Sequence, residues 1–540
     1  MTSSRVGPEA ALQTRWCARL PCVAGVLALT ALAQDRSPAQ ELEPLIYTLR
    51  FPTPEQHSFD VDVVVPSEKH ETVELMMAVW SPGYYDVGDY AKQITGFAAK
   101  SPDGALLSFD HAVPNHWTVH TGGRTQVVVS YTLAASRGSV ITNSVDEGLA
   151  VITGPATYIT LAERAHRPAE VRLEMPKGWK SSATALAAAR DGQPNHYSAP
   201  DYDALADCPI LAGTLSVHEF EVAHVRHYLV DAGNLGAWDG AKGAQQLAKM
   251  VEEQHHFWGF LPYEKYVFLN VFRQGGGGLE HSNSCLLTSS ARQASNPESY
   301  FSWAAYVSHE YFHALNVKRL RPIELGPFDY EHPPVTTGLW VAEGLTTYYG
   351  ELLAVRAGLG TQLDFWRTYS GHVGKLQNTP GRLVQTLLQS SSQIFDSGGS
   401  GVGGNDANTV SYYVKGPIVG LLLDAHIRRL TDSKRSLDDV MRLEYARYSG
   451  EHGFTEDQFD QTASDAAGVD LASWLHKALA TTEELDYTEM LEWYGLRFAS
   501  SAPEPKAKWT IEVLPDATDA QQAHLAALFA ASNSKQQQSK

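Results

Sequence analysis

Residues 309–313 read His-Glu-Tyr-Phe-His, and Glu343 follows thirty residues later within a Trp-Val-Ala-Glu-Gly run. If this stretch is helical, His309 and His313 lie on one face, because they are four residues apart, and both imidazoles can bind a single cation. Glu310 lies beside them as a candidate general base. Glu343, carried on a second helix, would supply a third ligand and leave one coordination position open. The pattern therefore predicts a hydrolytic zinc site.

The flanking residues predict the helix that this site needs. Asn-Pro-Glu at 296–298 supplies an N-cap, a proline suited to the first turn and an early acidic residue, so we expect a helix from there through His313. The segment around Glu343 is also helical in pattern and ends near Gly358. This context disfavours the alternative, which is a surface helix carrying two unrelated histidines.

The length and charge of the chain narrow its class. At 540 residues it is too long for one ordinary hydrophobic core, so two or three domains are expected. Its 42 basic and 61 acidic residues give a net charge of −19 at pH 7. That balance argues against nucleic acid or an anionic membrane as the main partner.

The N-terminus has the pattern of a targeting segment. Arginines precede an apolar run at 20–33, and the Ala-Leu-Ala at its end resembles a signal-peptidase site. The run is shorter than the roughly twenty residues that span a bilayer. We therefore predict a signal peptide at 1–33 and export to the periplasm or the exterior, with an uncleaved N-terminal anchor as the alternative. Cys208 and Cys285 would remain, each expected as a buried small hydrophobe, with their pairing left open.

The predicted secondary structure divides the remaining chain into two domains and a tail. Residues 41–218 are mostly β-rich runs, which predicts an antiparallel β-sandwich for packing and support, with 187–210 as an irregular stretch. Residues 219–500 are mainly helical, hold the zinc motif and contain a glycine-rich loop at 396–405 that should be mobile. Residues 501–540 form a tail, partly disordered, with one helical stretch. The fold class is therefore α+β with more than one domain.

A glycine-rich strand end lies just upstream of the zinc helix. A predicted strand at 266–272 continues into four glycines and then into Glu280 and His281. Glycine lets the backbone approach a ligand, so Gly277 and Gly278 are candidate substrate contacts. Glu280, at the end of this edge-like strand, could hold the protonated N-terminus of a peptide and position the next bond at the metal. A solvated turn glutamate is the alternative.

Taken together, these motifs resemble the glycyl aminopeptidase family of gluzincins, which is metallopeptidase family sixty-one. The resemblance rests on the following stretches: Gly-Gly-Gly-Leu-Glu-His at 276–281, the fifteen residues 308–322, Trp-Val-Ala-Glu-Gly at 340–344, Trp-Ser-Pro-Gly-Tyr at 80–84 and Asn-His-Trp at 115–117. It extends from about residue 45 to about residue 495. It implies a thermolysin-like, mainly helical zinc peptidase domain after the β-sandwich.

The resemblance also implies roles for the site residues. It implies one bound Zn²⁺ ion with three ligands: His309, His313 and Glu343. Glu310 is carried over as the general base, and similarity to the wider aminopeptidase clan suggests Glu280 for the amino group of the substrate. His281 stands where better-known aminopeptidases have asparagine, so its part in binding the amine stays open.

A Tyr-x-Lys-Gly element in that clan supplies the hydroxyl that stabilises the tetrahedral oxyanion, and Tyr-Val-Lys-Gly at 413–416 matches it. A phenol directed at developing negative charge acts selectively in the transition state. Tyr413 is therefore the candidate, Tyr412 is its competitor, and core packing is the alternative for either.

The family implies hydrolysis of peptide bonds at free N-termini, with a preference for small first residues such as glycine or alanine. Two alternatives stay open, namely a zinc endopeptidase that uses the same site and a secreted scaffold or binding protein with a vestigial metal site. Family members commonly carry a PDZ domain after the catalytic region. We expect none here, because only 46 residues follow Tyr494.

Overall fold

The computed structural model describes residues 42–136, 138–162, 167–395, 402–499 and 508–532. The signal peptide predicted at 1–33 lies outside these ranges, as do residues 396–401 of the predicted glycine-rich loop. Among the described residues, no helix combines the length and the apolar character needed to cross a membrane.

Within the described ranges, the first part of the chain consists of strands and one short helix. In chain order they are β1 (Leu45–Arg50), β2 (Ser58–Pro66), β3 (Thr72–Met76), β4 (Trp80–Ser81), β5 (Tyr84–Val87), β6 (Ile94–Lys100), β7 (Leu106–Leu107), β8 (Phe109–Asp110), β9 (His116–His120), β10 (Gln126–Ala134), β11 (Ser144–Val145), β12 (Leu149–Ile152), β13 (Thr160–Leu161), β14 (Ala169–Glu174), β15 (Ser181–Thr184), β16 (Ala187–Ala188), β17 (His196–Ala199), α1 (Tyr202–Ala206) and β18 (Ile210–Gly213). In β2 and β10 every second residue is buried, as expected when one face of a strand packs on a core.

Three sheets of this part share one hydrophobic core. The largest has the strand order β16-β17-β14-β1-β2-β10-β6-β7, and the two smaller ones have the orders β11-β12-β18-β15 and β13-β3-β9-β8. Val63, Leu75 and Leu211, one from each sheet, belong to the same buried cluster. The pairing is antiparallel, as predicted, except that β1 pairs with β14 in parallel. The stretch at 187–210, predicted to be irregular, contributes β16, β17 and α1, which are too short to leave a clear sequence pattern.

The second part contains a five-stranded sheet, a strand pair and most of the helices. In chain order they are β19 (Ser216–Val222), β20 (Val225–Gly233), α2 (Gly240–Trp258), β21 (Lys265–Phe272), β22 (Gly277–Glu280), β23 (Ser284–Ser289), α3 (Ala291–Ser295), α4 (Pro297–Phe312), α5 (Thr346–Arg356), α6 (Gln362–Gln377), α7 (Leu387–Ser392), α8 (Tyr412–Leu430), α9 (Leu437–Tyr448), α10 (Glu456–Ala467), α11 (Ala472–Ala480), α12 (Thr488–Tyr494), β24 (Leu496–Phe498), β25 (Ile511–Val513) and α13 (Asp519–Leu528). The sheet order is β19-β20-β21-β23-β22. The strand predicted at 266–272 is β21, which lies in the middle of the sheet and not at its edge, whereas Glu280 ends the separate edge strand β22. The glycines at 275–276 separate the two strands.

The zinc-motif helix α4 begins where the sequence predicts. The Asn296 side chain accepts a hydrogen bond from the backbone N–H of Glu298 at 3.1 Å, and Pro297 occupies the first helical position. The helix ends at Phe312, with His313 as its C-cap residue. The predicted N-cap and first turn are therefore confirmed.

The segment that carries Glu343 departs from the predicted α-helix. Residues Trp340–Leu345 form a π-helical turn that continues into α5. The fully buried Asn316 is inserted there, since its Nδ2 donates to the carbonyl of Val341 and to Thr346 Oγ1, both at 2.9 Å. A side chain that enters the helical hydrogen-bond ladder is a known cause of such a turn.

Two glycines let α8 cross this π-helical turn at close range. A Cβ atom added to Gly344 would lie 2.8 Å from the Cα atom of Gly416, so no side chain fits between the two backbones. The contact brings the start of α8, and with it Tyr413, next to Glu343. Pro417, which was expected in the first turn of this helix, is its sixth residue.

Residues 508–532 pack against the helical part. Strand β25 pairs with β24, and the backbone carbonyl of Leu528 at the end of α13 accepts a hydrogen bond from Arg356 Nε at 3.1 Å. The helical stretch predicted in the tail is confirmed, whereas β25 was not predicted. Cys208 and Cys285 are both buried, as expected, and both are free thiols.

Replacing Asn316 by alanine should lower the free energy of unfolding by about 1–3 kcal/mol, because the buried carbonyl of Val341 would lose its side-chain donor. Chemical denaturation of the purified protein measures this change. Asn378→Ala is a matched control: its Nδ2 also donates to a backbone carbonyl, that of Gly374 at 2.7 Å, but the residue is exposed. Equal losses in the two variants would contradict a special role for Asn316.

Candidate active site

A cavity of about 470 Å³ lies where α4, β22, the π-helical turn, α5 and α8 meet. Of the residues predicted to form the site, His309, His313, Glu310 and Glu343 all line it. The first part of the chain lines it too, through residues 83–84 and 139–140. The sequence motifs are therefore assembled around one enclosed space.

The three predicted metal ligands come together in this cavity. The Nε2 atoms of His309 and His313 lie 3.0 Å apart, and Glu343 Oε2 lies 3.5 Å from the first and 3.2 Å from the second. One ligand atom from each residue lies within 4.8 Å of the others. Two imidazole nitrogens and one carboxylate oxygen are the donor set of catalytic zinc sites, so the residues fit the metal.

Hydrogen bonds from neighbouring groups orient these ligands. The backbone carbonyl of Asn316 accepts from His313 Nδ1 at 2.9 Å, which leaves Nε2 directed at the cluster. Both oxygens of Glu343 accept from phenols, since Tyr85 Oη donates to Oε1 at 3.1 Å and Tyr413 Oη donates to Oε2 at 2.7 Å. Such partners fix the direction in which each ligand points.

The electrostatics of the cavity favour a bound cation. Burial raises the pKa of Glu310 well above its usual value and that of Glu280 to about 7. Burial opposes a charge on His313, yet the carboxylates, Glu343 first among them, raise the pKa of His313 to about 10. A buried carboxylate that stabilises a proton on an imidazole can equally stabilise a bound metal cation.

The predicted general base, Glu310, packs directly on the edge strand. Its side chain is 6% exposed, and a Cβ atom added to Gly278 would collide with its carboxylate. Gly277 and Gly278 both line the cavity, as predicted for substrate contacts. Because these glycines have no side chain, the Glu310 carboxylate packs directly against the backbone of β22, and both line the same side of the cavity.

Glu280 lies at the end of the same wall and is 3% exposed. Its Oε1 is buried without a hydrogen-bond partner among the described residues. The turn between β4 and β5 closes over it, and a Cβ atom on Gly83, which has a φ of 96°, would collide with the carboxylate. A buried carboxylate oxygen with an unused acceptor position in a cavity is suited to a cationic or hydrogen-bonding ligand.

A buried polar cluster lies beside Glu280. Asp207 accepts hydrogen bonds from Lys318 Nζ at 2.7 Å, from His281 Nδ1 at 3.2 Å and from the backbone N–H of Ser282 at 2.8 Å. His281 thus turns towards Asp207 and is not among the described residues that line the cavity. A direct contact between His281 and the substrate stays a prediction that this geometry does not favour.

The two candidate tyrosines differ in position. Tyr413 lines the cavity and donates to Glu343, whereas Tyr412 is fully buried in the helical core. Among the described residues, Tyr412 does not line the cavity wall. This geometry favours Tyr413 for any role at the substrate.

Sequence reasoning missed the contribution of the first part of the chain, which was expected only to pack and support. Gly83 and Tyr84 line the cavity, and Tyr85 binds Glu343. The Trp-Ser-Pro-Gly-Tyr run used for the family resemblance was the available indication, because such a run forms a tight turn. Glu351, a buried residue of α5 that also lines the cavity, was missed as well.

Two family models match this chain. The Peptidase M61 N-terminal domain matches residues 46–214, and the M61 glycyl aminopeptidase model matches residues 302–419. A comparison with curated proteins yields no match.

Among solved structures, the chain is similar to an aminopeptidase N family protein from Idiomarina loihiensis, with 27% identity and a TM-score of 0.79 over 84% of this chain and 78% of that one. It is also similar to the M1 zinc metallopeptidase of Deinococcus radiodurans, with 16% identity and a TM-score of 0.51 over 83% of this chain and 94% of that one. A mutant of the latter, solved with a Tyr-Ser-Ala substrate, has 14% identity and a TM-score of 0.51 over 83% of this chain and 95% of that one. The two M1 structures share the fold.

The two models lie in the expected order along the chain, and the second contains His309, His313, Glu343 and Tyr413, which surround the cavity. The chain therefore belongs to the M61 glycyl aminopeptidase family.

Proposed function

We propose that this chain is a one-zinc aminopeptidase that removes a small first residue, glycine or alanine, from peptides with a free N-terminus. The observation that carries the proposal is the Glu280 carboxylate. It is buried in the same cavity as the metal-ligand cluster, and its Oε1 has no hydrogen-bond partner among the described residues. Family membership supports the aminopeptidase class. The pattern of the N-terminal sequence supports export to the periplasm or the exterior.

In this proposal, three residues hold one Zn²⁺ ion: His309, His313 and Glu343. Bound zinc supplies Lewis acidity, which polarises the scissile carbonyl and makes water a nucleophile near neutral pH. Two hydrogen bonds hold these residues in place for this role: His313 donates to the backbone carbonyl of Asn316, and Tyr85 donates to Glu343.

Glu280 binds the protonated amino group of the substrate. A peptide laid along the edge strand β22 can contact the backbone of Gly277 and Gly278, in the manner of strand addition. Its first amine then meets Glu280, and the first peptide bond lies beside the metal ligands. Gly83 and Tyr84 wall the cavity near Glu280, which supports a preference for small first residues.

Glu310 acts as the general base and then as the general acid. Its carboxylate takes a proton from the attacking water and passes it to the departing amine nitrogen. Burial keeps this carboxylate away from bulk solvent, so the proton stays within the site.

Tyr413 stabilises the oxyanion that develops on the scissile carbonyl. Its hydroxyl donates to Glu343 in the substrate-free protein and can turn to the developing negative charge as the tetrahedral state forms.

Glu310→Gln should reduce kcat by about 10²–10⁴-fold, because the proton acceptor is lost while the ligand set is unchanged. Hydrolysis of an alanine peptide measures kcat, and elemental analysis measures zinc in both proteins. One zinc per chain is expected in each, and a chelator should abolish wild-type activity. Glu298→Gln, an exposed change at the start of the same helix, is the control. A protein with neither zinc nor hydrolysis would instead be a scaffold.

Blocking the substrate amine should stop hydrolysis, because Glu280 would lose its cationic partner. We compare Ala-Ala-Phe amide with its N-acetyl form, and wild type with Glu280→Gln. The variant should lose about 10–100-fold in kcat/KM on the free peptide, which corresponds to about 1.5–3 kcal/mol for a hydrogen bond to a charged group. Equal cleavage of the two peptides by the wild-type protein would identify an endopeptidase.

Tyr413→Phe should lower kcat by about 10²–10³-fold with little change in KM, as expected when a transition-state donor is removed. Tyr85→Phe is the matched control, because it removes the hydroxyl that donates to Glu343 Oε1 and leaves the Tyr413 hydroxyl on Oε2 in place. Steady-state kinetics of both variants and of Tyr412→Phe decide the assignment. If Tyr413→Phe lost no more activity than Tyr85→Phe, Tyr413 would act only through Glu343.

A further inference from the structure

One carboxylate in the cavity has no part in the mechanism above. Glu351 is 7% exposed and lines the same cavity as the metal-ligand cluster. Its Oε1 accepts a hydrogen bond from His372 Nε2 at 2.8 Å. Its Oε2 is buried and has no hydrogen-bond partner among the described residues. A buried acceptor left open in a substrate cavity calls for a donor from the ligand.

The position of Glu351 follows from the order of contacts along α4 and β22. Gly278, two residues before Glu280 in β22, packs on Glu310 of α4. The preceding residue, Gly277, accepts a hydrogen bond at its carbonyl from Tyr306 Oη at 2.6 Å, and Tyr306 is one turn earlier in α4. Moving from Glu280 towards the start of β22 therefore means moving towards the start of α4.

Helix α5 meets α4 at that far side. A Cβ atom on Gly350 would lie 3.0 Å from the carbonyl oxygen of Ala305, which is earlier in α4 than Tyr306. Gly350 also packs on His309, whose Cβ would lie 2.9 Å away, and the earlier Thr347 Oγ1 lies 3.4 Å from His309 Nδ1. Helix α5 therefore runs from His309 towards the start of α4, and Glu351 lies in that direction, away from Glu280. Glu351 is eight residues beyond Glu343, so it lies about 12 Å further along the helix axis.

The side of the cavity around Glu351 can hold a long side chain with a charged end. Phe301, Ser302 and Thr368 line the same cavity as Glu351, and the ring of Phe301 offers an apolar surface for a methylene stem. Lysine and arginine have this combination of an apolar stem and a cationic end, and a carboxylate at the end of the space forms charge-assisted hydrogen bonds with them.

We propose that Glu351 is a specificity residue that binds a lysine or arginine side chain at the second position of the substrate. The inference rests on the proposed aminopeptidase function, which places the substrate amine at Glu280 and the second residue beyond the scissile bond. The preferred substrates are peptides that begin with a small residue followed by a basic one.

The experiment compares three peptides, Ala-Lys-Ala, Ala-Met-Ala and Ala-Glu-Ala amides, which differ only at the second position. For the wild-type protein, kcat/KM should be at least about tenfold higher for lysine than for methionine, and lower still for glutamate, because tenfold corresponds to about one charge-assisted hydrogen bond. In Glu351→Gln the ratio of lysine to methionine should fall close to one. The readout is the ratio of kcat/KM for the lysine peptide to that for the methionine peptide. A general loss of turnover lowers both values and leaves this ratio unchanged.

His372→Gln separates recognition from a purely structural link between α5 and α6. If the Glu351–His372 contact only joins the helices, both variants should lose thermal stability and leave the ratio unchanged. If Glu351 binds the substrate, His372→Gln should keep the preference for lysine. Circular dichroism and thermal unfolding confirm that each variant is folded before its ratio is used.

The outcomes distinguish this inference from the proposed function. Hydrolysis of all three peptides at equal rates, or an unchanged ratio in Glu351→Gln, would overturn the subsite and leave the aminopeptidase intact. Failure to cleave any free peptide, or equal cleavage of N-acetylated peptides, would overturn both.

Discussion

The hydrogen bonds of one buried residue, Asn316, connect two of the three predicted metal ligands. Its backbone carbonyl orients His313, and its side chain holds the π-helical turn that carries Glu343. The adjacent Val317 has a φ of 115°, a conformation that costs a β-branched residue about 1–3 kcal/mol. The backbone at Val317 is held in this conformation by other contacts, including the hydrogen bond from Val317 N–H to the carbonyl of Leu320 at 2.8 Å. These contacts lie in the core, where packing fixes the directions of the side chains.

The strand-rich part of the chain reaches the site through the β4–β5 hairpin and through residues 139–140. Gly83 closes over Glu280, and Tyr85 reaches Glu343. This closure removes the Glu280 carboxylate from water, and in the proposed function the ammonium group of the substrate replaces the lost hydration. A site built to pair a buried charge rejects a ligand that lacks the partner more strongly than an apolar pocket rejects a misfit. In that proposal, the hairpin connects the strand-rich part of the chain to selection of the substrate.

Local sequence patterns predicted those parts of the site that depend on local structure. The N-cap of α4 and the spacing of His309 and His313 follow from neighbouring residues. The strand predicted at 266–272 was expected at an edge but is central, because the edge is taken by the separate strand β22. The π-helical turn could not be predicted, because it depends on a buried side chain 24 residues before it. Tyr85 was missed for the same reason, since it meets Glu343 across 258 residues of sequence. Contacts between residues this far apart in the sequence are determined by tertiary packing and leave no periodic pattern in the sequence.

The arrangement of charge in the cavity gives a physical account of how one bond is chosen. Glu280 at the end of β22 and Glu351 on α5 line one cavity, and each has a buried oxygen without a partner among the described residues. A peptide that satisfies both must carry a free amine and a basic second side chain, and the bond between those two residues then lies at the cluster. The net charge of −19 draws such cationic peptides towards the protein at low ionic strength. In the proposed mode of binding, two charge pairs therefore determine the register of the peptide.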